Sequence, residues 1–249
     1  MYEEAIKMRN VYIIGKGQTK RGYFPERDIR SLAAEATFKA LDDAELSIKD
    51  IGQAWLSHYP STADMQMTAG QVIIDAIGAP PEMGCIHIEE ACTSGGQAMH
   101  DACLAVASGR YETALVIGIG KHQDSFDYLN SFADSGFNPF TDKLGIRLFV
   151  VGANLEYNQK YGVTQEDYAS FFEMQYWYAV KNPISLIYKQ KPRTKKDYYK
   201  LPYRFYPDRV GITPTGCDGA SAIIFASKDQ AKHKDSLVSV AAISHKEES

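Results

Sequence analysis

Residues 113–119 read Thr-Ala-Leu-Val-Ile-Gly-Ile, a run with no charged position. A segment this short and this apolar has no side to turn towards water, so it reads as a strand covered on both faces. That places it inside a sheet with helices packed on each side. The segments before it alternate accordingly. Residues 11–14 are a short β-rich run, and 31–44 hold good helix formers behind a serine. Residues 51–56 read as a strand after Lys49-Asp50, and 67–77 as an apolar helix stopped by Gly78 and Pro80-Pro81. A strand at 85–89 and a helix at 94–107, closed by Gly109, follow. Strand–helix–strand order implies right-handed crossovers. The expected fold class is α/β, with a mostly parallel or mixed central sheet flanked by helices.

The pattern changes after Lys121. Residues 121–146 are rich in Asp, Ser, Asn, Gly and Phe and read as a long loop. Helices are expected at 147–161 and 165–181. Thr164 with Asp167 makes a capping-box start for the second, and Asn182-Pro183 ends it. Residues 183–213 are aromatic, basic and irregular, and strand character returns at 220–226 and 237–243. The chain therefore divides into a core at 1–120, an insertion at 121–213 and a return to the core sheet at 214–249. The tail 245–249 is polar and reads as frayed.

Composition excludes several classes. A net charge of −4 argues against a general nucleic-acid binder. No apolar run approaches the ~18 residues of a membrane span, and 1–5 carry no secretory pattern. The four cysteines have no Cys-x-x-Cys spacing, so zinc and thioredoxin-like readings are weak and a reducing cytoplasm fits. The basic run 189–196 reads either as a solvated loop or as a contact for an anionic ligand.

Chemistry concentrates at 85–99. A β-rich run leads to Cys92, and small residues then open a helix. Backbone N–H groups and the helix dipole favour negative charge at such a position. A thiol there gains thiolate character, which acyl transfer from a thioester needs. Thr93 or Ser94 is placed to cap the helix.

This stretch resembles the nucleophile turn of thiolases, especially the sterol-carrier-protein-X type, where a cysteine followed by Ser-Gly-x-x-Ala begins a buried helix. Other segments match that family in order. Val11-Tyr12-Ile13-Ile14-Gly15-Lys16-Gly17 resembles its first strand and turn, and Leu32–Ala36 with Ala40–Ala44 its first helix. Tyr161–Asp167 and Asn182-Pro183 resemble its loop domain, and Asp218-Gly219-Ala220-Ser221-Ala222 its Asp-Gly-Ala-Ala-Ala signature. The resemblance implies an acyltransferase with Cys92 as nucleophile, coenzyme A (CoA) as substrate and no metal or permanently bound cofactor. The family's later Gly-His-Pro or His-Asp-Ala-Phe motif and its final Cys-x-Gly motif have no counterpart in these residues. The implied partners are acyl-CoA and CoA, a second copy of the chain, and a second polypeptide carrying those motifs. A small OB-fold or zinc-ribbon protein is a further partner class. A thiolase-like aldolase, or a non-catalytic subunit binding CoA thioesters, is the alternative.

The remaining candidates have plainer readings. Cys85 and Cys103 read as core, and Cys217 precedes the Asp-Gly-Ala turn. His87 shares a strand face with Cys85 and Glu89 and reads as a structural histidine. His122 stands just past a strand end, where open parallel sheets border ligand crevices. The family often carries an acidic residue and a methionine there, whereas this chain has Lys121-His122-Gln123-Asp124. Glu89 and Glu90 oppose each other on a strand; one of them is expected to anchor the Cys92 turn. Gly15-x-Gly17 reads as a turn, and Phe171-Phe172 with Tyr176-Trp177-Tyr178 as helix core. None of His58, His87, His100, His122, His233 and His245 lies in a motif like the family's catalytic histidine.

Overall fold

The strands are β1 (Val11–Gln18), β2 (Gln53–His58), β3 (Cys85–Ile88), β4 (Thr113–Gly120), β5 (Tyr203–Phe205), β6 (Asp208–Arg209), β7 (Gly219–Ser227) and β8 (Val238–Ser239). They come from a computed structural model that describes residues 8–58, 68–121, 145–212, 216–231 and 237–244. Six of them form one sheet in the order β3-β2-β4-β7-β1-β8. β2 runs parallel to both β3 and β4, while β7 lies antiparallel between β4 and β1. The sheet is thus mixed. The apolar run at 113–119 is an inner strand, buried along nearly its whole length.

Helices cover both faces. On one side, α1 (Ile29–Ala44) and α2 (Ala69–Ala76) pack Leu32, Ala36, Leu41 and Ile73 against Leu56, Leu115, Ile117 and Ile224. On the other, α3 (Ser94–Ala107) packs Ala98, Ala102 and Val106 against Trp55, Val116 and Phe225. Helix α1 starts two residues before the serine expected to open it. Asp28 is the cap instead, its carboxylate accepting from the Ser31 N–H at 2.9 Å. Gly15 and Gly17 lie inside β1 rather than in a turn. A Cβ on Gly17 would stand 1.9 Å from the Ala36 carbonyl oxygen, and one on Gly15 2.3 Å from that of Ala40. Both glycines therefore let α1 rest directly on the strand. Of the strand expected at 237–243, only Val238–Ser239 pairs, with Tyr12 and Ile13 at the sheet edge.

Chain contacts divide the molecule into two compact units, Met1–Thr19 with Tyr23–Lys121 and Asp218–Ser249, and Lys20–Gly22 with His122–Cys217. The second contains α4 (Gly145–Tyr161), α5 (Gln165–Ala179), α6 (Lys195–Lys200) and the β5–β6 hairpin. The Thr164–Asp167 capping box forms as the spacing predicts, with the Asp167 carboxylate accepting from the Thr164 N–H at 2.8 Å. The stretch 183–213 is more ordered than its composition suggests. A second capping box, Thr194 with Asp197, opens α6 and brings Tyr198 onto Phe172 in a small core. Among the described residues no helix is long and apolar enough to cross a membrane.

Candidate active site

Because β2, β3 and β4 are parallel, their C-terminal ends share one edge of the sheet, where ligand crevices form in such folds. His58 ends β2 and Lys121 follows β4. After β3 the chain passes Glu89 and Glu90, makes a 3₁₀ turn at Ala91–Thr93 and enters α3 at Ser94. Cys92 is the middle residue of that turn and is exposed.

The turn is pinned through the main chain of Glu90. Its N–H donates to the buried Ser94 Oγ at 2.7 Å, and its carbonyl accepts from the Thr93 N–H at 3.0 Å and the Thr93 hydroxyl at 2.8 Å. These main-chain bonds hold the turn in addition to whatever the Glu89 or Glu90 carboxylate contributes. They also change the capping assignment. Thr93 sits at the cap position with helical φ −92° and ψ −9°, and makes no side-chain cap bond. A capping side chain needs an extended backbone at its own residue, and the 3₁₀ turn denies Thr93 that. The Ser94 hydroxyl is likewise turned back towards Glu90. The first turn of α3 lies over β2: a Cβ on Gly95 would meet Ser57 Oγ at 3.7 Å.

Burial sets the other thiols apart. Cys103, inside α3, is 4% exposed, and burial pushes its thiol up. Cys85 lies beneath α2, where a Cβ on Gly70 would stand 3.3 Å from its sulfur. Burial pushes the Cys85 thiol up to about 12, against the opposing pull of a backbone hydrogen bond from Leu56. Both are core residues, as their positions in a strand and a helix suggest. Cys217 is half-buried, and all four cysteines are free thiols.

His87 donates from Nε2 to the His58 carbonyl at 2.8 Å, with the two rings 5.8 Å apart, and so holds the ends of β2 and β3 together. His100, on α3, sits 3.2 Å from the Asp101 carboxylate. His122, His233 and His245 lie outside the described residues.

Lys121 is a residue whose role the local sequence does not show. Its ammonium is buried and donates to Asp218 Oδ2 at 2.9 Å and to the Phe24 carbonyl at 2.8 Å. The same Asp218 oxygen accepts from the Phe24 N–H at 2.9 Å. Next to this pair, Thr19 and Ala220 exchange hydrogen bonds through the Thr19 hydroxyl and both main chains. The Asp218-Gly219-Ala220 segment is thereby fixed at the strand-end edge that the Cys92 turn shares. Among the described residues no group of three His, Cys, Asp or Glu side chains could hold a metal.

The family model for the N-terminal domain of thiolases matches residues 11–181. An acetyl-CoA acetyltransferase of Methanocaldococcus jannaschii is 30% identical over 94% of this chain, which spans 61% of that protein's length. Among solved structures, the Ltp2–ChsH2(DUF35) aldolase superposes with a TM-score of 0.73 at 20% identity, over 90% of this chain and 57% of its own. Human mitochondrial 3-ketoacyl-CoA thiolase superposes with a TM-score of 0.67 at 18% identity, over 91% of this chain and 68% of its own. The chain thus spans about three fifths of the length of the curated relative it matches.

Proposed function

The chain belongs to the thiolase family, whose N-terminal domain it carries, and we propose that it supplies the nucleophile half of a 3-oxoacyl-CoA thiolase site. The observation that carries this reading is the placement of Cys92. Its thiol is exposed in a pinned turn between a sheet edge and a helix start, while Cys103 is buried, Cys85 is half-buried under α2, and burial pushes both of their thiols up. The Cys92 thiolate attacks the 3-keto carbon. The bond between C2 and C3 breaks, its electron pair leaves on C2, and a proton there completes acetyl-CoA. The acyl group remains on sulfur until the thiol of free CoA takes it, returning the Cys92 thiolate. In this reading the Cys92 N–H is one donor to the developing oxyanion. The base that deprotonates Cys92 and CoA lies in residues outside this sequence, on the second half that the family's later motifs mark. The second unit is read as the family's loop domain, and a reducing cytoplasm as the compartment.

The test measures acyl-CoA release from a 3-oxoacyl-CoA plus CoA, with and without a polypeptide carrying those later motifs. General acid–base help is worth roughly 10²–10⁴-fold, so the chain alone is expected to turn over at most very slowly and to gain several orders of magnitude on addition. Cys92→Ala is expected to abolish thiolysis in the complete assembly. Cleavage that survives Cys92→Ala would assign a retro-aldol reaction, which needs no sulfur nucleophile.

A further inference from the structure

The second unit carries a surface that this chemistry leaves unused. Helix α5 has two apolar faces. The inner one packs Ala169, Phe172 and Tyr176 against Tyr198, Leu201 and Ile212. The outer one sets Phe171, Met174, Trp177 and Tyr178 in a stripe at helical spacing, exposed by 49, 49, 53 and 66%. Four large side chains left open over about 10 Å of helix form the kind of patch that marks an interaction surface.

Charge states what fits there. From Met174 to Lys196 the chain carries six Lys and Arg residues and no Asp or Glu, although its net charge is −4. Lys191, Arg193 and Lys195 line a cleft of about 680 Å³ together with Met174, Trp177 and Tyr178, and Glu173 is the one carboxylate among its lining residues. Lys181 Nζ stands 3.6 Å from the Trp177 ring centre, which holds that ring in place from one side. Lys195 is paired with Glu166 at 2.5 Å, which ties the basic loop to α5. Tyr, Trp, Met and Arg are the types that enrich at protein interfaces and dominate their energetics.

We propose that this cleft docks an acidic amphipathic helix of a partner polypeptide. Its apolar side would lie along the stripe from Phe171 to Tyr178, and its carboxylates would meet Lys191 and Arg193. A stripe two turns long matches the face of a helix, which presents side chains at the same spacing. A single nucleotide base covers one ring, not four side chains on successive turns.

Trp177 reports on the proposal directly. Trp55 is 3% exposed, so acrylamide reaches Trp177 almost alone in the unmodified protein. The probe is a synthetic amphipathic helix of about 18 residues, with leucines on one face and glutamates on the other, long enough to be partly helical before it binds. The control carries lysine for every glutamate. The glutamate peptide is expected to reduce acrylamide quenching saturably, and added salt to weaken the effect. Lys191→Glu with Arg193→Glu, both exposed positions, is expected to weaken binding roughly 10–100-fold with an unchanged circular dichroism spectrum. Three results would overturn the proposal: no protection by the glutamate peptide, equal protection by the lysine peptide, or protection by CoA alone as complete as by the glutamate peptide. None of these readouts depends on Cys92, so they stand apart from the fate of the thiolase reading.

Discussion

Cys85 and Cys92 stand one turn and one strand apart, yet one is packed under α2 and the other is exposed. Cys85 is packed under α2 and stays protonated far above neutral pH. Because its folded pKa of about 12 lies above the ordinary 9.0, the unfolded chain releases its proton first as pH rises. Stability is then lost progressively above pH 9, by at most about 1.4 kcal/mol per pH unit, until the folded thiol ionises as well. Urea unfolding between pH 8 and pH 11 is expected to show this loss in the native sequence and a shallower one in Cys85→Ala. Equal slopes would mean that Cys85 is not held protonated by the fold. At this scale the sequence was legible where chemistry is local. The position of Cys92 between a strand and a helix is written in fifteen neighbouring residues. The Lys121–Asp218 pair was not legible, because its partners are 97 residues apart and meet only when β7 inserts beside β4. Nor was the role of the Glu90 main chain, since a backbone N–H has no residue signature.

Elements were easiest to read where an apolar pattern and a cap agree. Helix α3 occupies Ser94–Ala107, as its pattern predicts, and β4 extends the apolar run by one residue. Reading failed at Gly15-x-Gly17, where the glycines answer to Ala36 and Ala40 of the following helix rather than to a turn. Gly17→Ala puts a methyl into the Ala36 carbonyl, and overpacking against rigid backbone is expected to cost about 3 kcal/mol, at the upper end of such changes. Thermal unfolding measures this, and an unchanged Tm would contradict the close packing of α1 on β1. Reading also failed at 195–200, where aromatic and basic composition hid a helix. The Thr194-x-x-Asp197 spacing is the same capping-box signal that marks α5. The edge strand β3 carries a further consequence. It ends the sheet order, and Ile86 is 48% exposed on it. Unpaired edges invite pairing with another chain, so self-association through this edge is the expectation to test. Sedimentation at micromolar concentration is expected to show dimers that Ile86→Lys shifts towards monomers. A compact monomer at all concentrations would contradict it.

For the whole molecule, the apolar run at 113–119 predicted a covered inner strand and the fold class followed from it. Parallel strands bring β2, β3 and β4 to a common edge, and that edge is where the Cys92 turn emerges. The chain spans 61% of the length of the acetyl-CoA acetyltransferase that is 30% identical to it, and the base proposed above is assigned to the remainder. One covalent event separates thiolysis from its alternatives. The chain is incubated with a 3-oxoacyl-CoA without free CoA, quenched in acid and mapped by peptide mass spectrometry. An acyl thioester on Cys92, cleaved by neutral hydroxylamine and absent from Cys92→Ala, is the predicted result, forming slowly in the chain alone and fast once the second half is added. Carbon–carbon cleavage by the complete assembly with no acyl group on Cys92 would contradict it.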